Sequence, residues 1–172
     1  PAPSVSTRCV SGERSRLQRA HIPGNMRRVS ESGTTSIWAE HYEAPPLNGL
    51  ERVEGRETED WLNHHLPFVG SAVEWSRVRG DHRHWFAAAN DDMTAVVVDF
   101  LAAVAGFASG VVHVGDSLSP VSVRIAPGQL GDVLDALLEI PEHHYFVAED
   151  RTWCGVFRME GDVDLALLGA SG

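Results

Sequence analysis

The last third of the chain constrains the fold most. Tyr145 to Ala148, Trp153 to Met159 and Val163 to Leu167 are short strand-like runs. The polar Glu149-Asp150-Arg151 and the turn signal Gly161-Asp162 punctuate them. In the middle run Trp153, Gly155, Phe157 and Met159 alternate with Cys154, Val156, Arg158 and Glu160, the period of two expected of a strand. Connections this short leave no room for a crossover, so the runs are expected to pair antiparallel as a meander.

The clearest helix lies just upstream. Leu130, Val133, Leu134, Leu137 and Leu138 repeat at i, i+3, i+4, i+7 and i+8, with Asp132, Asp135 and Glu139 as an acidic stripe opposite. Pro127 is expected to open this helix and Pro141 to stop it. A second helix is expected from about Asp91 to Ala108, with Asn90 and Asp91 as N-cap oxygens. It is apolar almost all round, which predicts a central helix covered on most sides. Its Val96-Val97-Val98 run also fits a strand. A shorter helix is expected from Glu57 to His65, ended by Pro67. Alternation predicts strands at Thr34–Glu43, Ser71–Val78, Val111–Val114 and Val121–Ala126, whereas Gly80 to Trp85 reads as irregular. Helices and hairpins without regular strand–helix alternation give an α+β single domain. It is expected to have a mainly antiparallel sheet, two principal helices and the C-terminal β-meander.

The charge is uneven. The 172 residues carry a formal net charge of −10, yet residues 1–33 hold Arg8, Arg14, Arg16, Arg19, Arg27 and Arg28 against only Glu13 and Glu31. That stretch has no apolar periodicity and reads as a flexible basic arm: a functional basic tail, or else a linker, a translated untranslated-region artefact or a removed pro-segment, with Met26 as a candidate internal start. The remainder, 34–172, is then more acidic than the whole-chain figure. A strongly acidic surface repels phosphate, which argues against nucleic acid and against anionic membranes as partners. The most apolar stretch, Met93 to Ala108, falls short of the roughly 20 residues a spanning helix needs. No signal peptide is recognisable, so the cytoplasm is the expected location.

The chemistry left open is narrow. Every basic residue other than histidine is Arg; the chain has no Lys. That removes the phosphate-loop lysine, Schiff-base chemistry and pyridoxal-phosphate anchoring. No G-x-S-x-G or G-x-G-x-x-G occurs. With two cysteines, neither a disulfide scaffold nor an all-cysteine zinc site can be built. Cys154 is a candidate nucleophile beside His143 or His144, although a strand cysteine flanked by Trp153 and Gly155 reads more simply as packed and inert. The nine histidines include His82-x-His84, which puts both rings on one side of an extended segment. With Asp81 or Asp91 they are a candidate metal site, and the pair could otherwise serve a ligand-binding enzyme. No cofactor is otherwise implied. The Arg79-Gly80-Asp81 tripeptide matches an adhesion motif, but no other feature supports an extracellular ligand.

Acidic clusters are the stronger signal. They comprise Glu51/Glu54/Glu57/Glu59/Asp60, the Asp132/Asp135/Glu139 stripe, Glu149/Asp150 and Glu160/Asp162/Asp164. Such runs usually mark solvated faces, but they also complement a basic partner and raise its association rate. The segment from His143 to Cys154, continuing through Phe157-Arg158-Met159-Glu160-Gly161-Asp162, resembles the end of small bacterial α/β immunity proteins of polymorphic-toxin systems. There a His- and aromatic-rich strand meets a Trp-bearing strand across a polar turn, followed by an acidic pair. The resemblance covers about 30 residues as a pattern of residue types. It implies a non-enzymatic inhibitor that binds a cognate toxin, and it transfers no binding residue. Acidity and the turn position make Asp132, Asp135, Glu139, Glu149, Asp150 and Trp153 the candidate contacts with a basic protein such as a toxin domain.

Overall fold

The C-terminal runs form the expected meander. Strands β7 (His144–Ala148), β8 (Trp153–Phe157) and β9 (Asp162–Leu167) pair antiparallel in order, with Phe146 opposite Gly155 and Gly155 opposite Leu165. The computed structural model describes residues 37–70, 72–88, 90–116 and 121–168; the basic arm lies outside them. Strands β5 (Val111–Gly115) and β6 (Ser122–Ile125) form an antiparallel pair beside β7. Two edge strands complete the sheet, β1 (Glu51–Val53) against β6 and β4 (Asp81–Phe86) against β9. The resulting seven-stranded order is β1-β6-β5-β7-β8-β9-β4. The described residues thus make an α+β domain on a mainly antiparallel sheet, as the turn spacing requires.

Both sheet faces are covered. On one lie helix α3 (Asn90–Val104) and helix α4 (Leu130–Leu138). Leu130, Val133, Leu134 and Leu137 of α4 and Val96, Val97, Phe100 and Val104 of α3 form one apolar cluster with Ile125, Phe146, Trp153, Phe157 and Leu165. Phe100 is fully buried and lies edge-on to Phe157 and Trp153, at centroid separations of 4.8 and 6.0 Å. Gly155 makes that seat, because a Cβ there would meet the Phe100 ring at 2.6 Å.

Helix α2 (Arg56–His65) and the small hairpin of β2 (Phe68–Val69) and β3 (Ala72–Val73) cover the other face. There Leu62 and Leu66 pack on Tyr145, Val147, Cys154 and Val156. Arg151, in the β7–β8 turn at φ 61°, reaches back over the Trp61 ring of α2 at 5.1 Å.

Five expectations are corrected. The stretch expected as a strand at 34–43 forms helix α1 (Ile37–His41) in its described part. Trp38 and Tyr42, four apart, both turn to the core, and His41 Nε2 donates to the Ala136 carbonyl at 3.0 Å. The expected strand at 71–78 contributes only Ala72–Val73 before a 3-10 turn at Trp75–Arg77. The segment expected to be irregular at 80–85 is strand β4, disguised by polar side chains that an edge position tolerates. Helix α4 begins at Leu130, because Gly128 at φ +82° makes a turn of the Pro127 region. Helix α3 is covered on one side only: Ala95, Val98, Asp99 and Ala102 face solvent. No helix among the described residues is long and apolar enough to cross a membrane.

Candidate functional site

The outer surface of α3 and α4 is chemically one-sided. Neither helix contains Lys, Arg or His. Asp92, Asp99, Asp132 and Asp135 are exposed, and none takes part in an ion pair among the described residues. Glu139 at the end of α4 is exposed too and stands 3.5 Å from His41 Nε2. On α3 Val98 is 60% exposed, with Ala95 and Ala102 one turn to either side. The α4 stripe arises because its apolar residues follow one helical face and leave Asp132 and Asp135 on the other. An exposed apolar residue on a pair of helices whose exposed acids form no ion pair among the described residues is suited to a basic protein surface: the apolar part adds contact area, and the field steers the approach.

The other sequence-derived contacts lie elsewhere. Glu149 accepts from Arg124 Nε at 2.7 Å, and Arg124 also reaches Glu51 at 2.6 Å, so that carboxylate is held within the protein. Asp150 caps its own turn, accepting from Thr152 N at 3.1 Å and from Thr152 Oγ1 at 2.6 Å. The same hydrogen bonds lower the Asp150 carboxyl below its ordinary pKa. Trp153 is corrected outright: it is 2% exposed and sits in the apolar cluster under α3, out of reach of any surface partner.

The His82/His84 pair is placed on one side of β4, as an extended segment demands, but a nitrogen of each ring is already engaged. His82 Nε2 and His84 Nδ1 each donate to Asp164 Oδ1 at 2.9 Å. Arg158 donates to Asp164 Oδ2 at 3.2 Å and lies 3.3 Å from Asp162. The Trp75 ring stacks on His82 at 4.9 Å and 4°. Asp81, by the period-two alternation of β4, lies on the opposite side of the strand from both histidines. Among the described residues no group of three or more His, Cys, Asp or Glu side chains could hold a metal ion. The side chain of Asp91 is outside the described set. Asp164 and Arg158 are the residues the sequence reading missed as the centre of this cluster. The signal present was one acid, Asp164, between the apolar Val163 and Leu165, where a surface strand places a polar residue and a covered strand does not.

Two further titratable sites are buried. Burial pushes the Cys154 thiol up to about 12, so its thiolate is suppressed at neutral pH, which fits a packing cysteine and opposes a nucleophile. His113 and His144 stack in the core on the helical side of the sheet. A carbonyl only accepts, so His144 Nε2 donates to the Ile140 carbonyl at 2.9 Å. His144 Nδ1 then accepts from His113 Nε2 at 3.0 Å. Burial lowers both rings, His144 to about 4 and His113 well below its ordinary value, so the pair is neutral at pH 7.

Comparison with family models, with curated proteins and with solved structures finds no match to this chain.

Proposed function

We propose that this chain is a non-enzymatic protein-binding module that receives a basic protein on the α3/α4 face. Its sharpest form is an immunity protein neutralising a cognate bacterial toxin. The observation that carries the binding role is the cation-free pair of helices, whose exposed Asp92, Asp99, Asp132 and Asp135 form no ion pair among the described residues and which also carries the exposed Val98. The immunity form rests on the C-terminal resemblance alone. The alternative, an enzyme working through His82 and His84, has less support because Asp164 engages a nitrogen of each ring.

The test is co-expression with the product of the neighbouring gene, followed by association kinetics at low and high salt. A complex whose on-rate falls as salt rises is expected. Asp132→Arg with Asp135→Arg should slow association about tenfold at low salt while the off-rate changes less. A complex with a salt-independent on-rate that ignores this double variant refutes the α3/α4 face. Absence of a complex with the neighbouring product refutes the immunity form.

A further inference from the structure

Strand β4 is a sheet edge, and among the described residues no strand lies beyond it. Its hydrogen-bond phase follows from its neighbours. Arg158 N donates to the Asp162 carbonyl and Leu168 N to the Thr152 carbonyl, so the even-numbered residues of β9 bond to β8. The odd-numbered Val163, Leu165 and Leu167 therefore bond to their partners Trp85, Arg83 and Asp81 on β4. Ala87 N, which donates to the Gly161 carbonyl, continues that phase. The backbone N–H and C=O groups of His82, His84 and Phe86 are left pointing away from the sheet. The opposite edge differs. Strand β1 spans only Glu51–Val53, and its Glu51 and Arg52 are paired with Arg124 and Glu43. On β4 the exposed Arg83 forms no ion pair among the described residues, and neither does Asp99 of α3. Both line one groove with Trp85, Ala102 and Ala103, on the side of the sheet where Trp85 meets Phe100. On the other side Phe86 is 59% exposed, an apolar ring at the open edge.

We propose that β4 pairs with β4 of a second copy of this chain, antiparallel about a two-fold axis at His84, so that two sheets become one. The outward groups restrict the register, because only even-numbered residues can exchange hydrogen bonds across the edge. An axis at Arg83 sets two like charges directly opposite, which is destabilising. An axis at His84 pairs His82 through Phe86, whereas one at Trp85 pairs only His84 through Phe86, and one at His82 only Asp81 through Arg83. At His84 the side chains are complementary. Arg83 faces Trp85 of the second copy and enters the groove between that indole and the Asp99 carboxylate, which no cation of its own chain engages. Phe86 faces His82 of the second copy, the ring that stacks on Trp75. Symmetry makes each contact twice. Asp132 and Asp135 take no part, so the pairing does not rest on the protein-binding role of the α4 stripe.

The test is sedimentation velocity of the full chain from micromolar to near-millimolar concentration, with amide exchange followed by NMR over the same range. A monomer–dimer equilibrium is expected. Exchange of the His84 and Phe86 amides should slow as the dimer fills, while the Arg83 and Trp85 amides, bonded to β9, are slow throughout. Arg83 is exposed, so Arg83→Asp leaves folding intact; it should weaken the dimer about tenfold, since the substitution enters the interface twice. Adding Asp99→Arg to it should recover most of that loss by exchanging the two charges. Asp132→Arg with Asp135→Arg should leave the dimer unchanged, which separates this pairing from the α4 stripe. The proposal is overturned if the chain stays monomeric at near-millimolar concentration, which would leave the edge to a strand of another protein. It is equally overturned if a dimer forms without slowing the His84 amide, if Arg83→Asp dimerises as the wild type does, or if the exchanged pair is no better than Arg83→Asp alone.

Discussion

The two faces of the sheet use charge in opposite ways. Under α3 and α4 the sheet contributes an apolar layer that packs around Phe100 of α3, and the helices turn bare carboxylates outward. Under α2 and the β2–β3 hairpin the apolar patch is smaller, and toward β4 it gives way to Asp164, His82, His84 and Arg158, which satisfy one another. The lesson is that an acidic residue offers itself to a partner only where the fold has not already supplied its cation. By that measure Asp132 and Asp135 are open to a partner, whereas Arg124 occupies Glu149 and Arg158 occupies Asp164; Asp150 is engaged by the neutral donors of its own turn.

The largest effect should come from the apolar side. Phe100→Ala removes the ring seated on Gly155 and wedged against Trp153 and Phe157, and should cost about 4 kcal/mol. Leu66→Ala under the smaller patch should cost about 2–3 kcal/mol. Urea denaturation of the two variants compares the faces directly. A larger loss at Leu66 would reverse the assignment of the main core to the helical side.

The second effect is also on the helical side and depends on pH. His113 and His144 are held neutral by burial, with Phe146 packed against His113 and with His143 and Asp116 acting on His144. Their folded pKa values lie below the ordinary 6.5, so on acidification the unfolded chain takes up protons first. Stability is therefore full above about pH 6.5 and is lost as pH falls toward the folded values. With His144 at about 4, that ring alone should remove about 2 kcal/mol between pH 7.5 and about pH 5, and His113 adds in the same direction. Urea midpoints at the two pH values measure it. Replacing both rings, His113→Leu with His144→Leu, should flatten the dependence; an equally steep profile in that variant would move its origin to other groups.

Legibility followed the same division. Periodicity exposes elements whose burial is apolar: Leu130 to Leu137, Val111 to Val114 and the meander run Val163-x-Leu165-x-Leu167 all read correctly, because an apolar side chain can only go inward. Strand β4 was illegible for the converse reason. His82 and His84 face a buried carboxylate, so its inward residues are polar and the segment looks like a loop. Helix α1 was misread because five residues are too few to separate a period of two from one of four, and Trp38 and Tyr42 satisfy both. At the candidate interface the α4 stripe was legible from spacing. Val98 was not, since an apolar residue in an apolar helix carries no mark of exposure and only the one-sided packing of α3 reveals it.

The smallest effect separates occupied from open charge most sharply. Asp164→Asn keeps the side-chain shape, and its remaining oxygen can still accept from His82 and His84. Its new NH2 group faces the Arg158 guanidinium, donor against donor, and Arg158 falls back on Asp162 at 3.3 Å. The loss should be about 1.5 kcal/mol, the scale of one hydrogen bond to a charged group. It should be accompanied by faster amide exchange along β4, which among the described residues pairs only with β9. Asp132→Asn, on the open helical surface with no ion pair among the described residues, should change stability by less than about 0.5 kcal/mol. Thermal melts of the two variants set the contrast. If Asp164→Asn proves as neutral as Asp132→Asn, the Asp164 cluster does not hold the edge strand. The distinction drawn between the two faces would then rest on apolar packing alone.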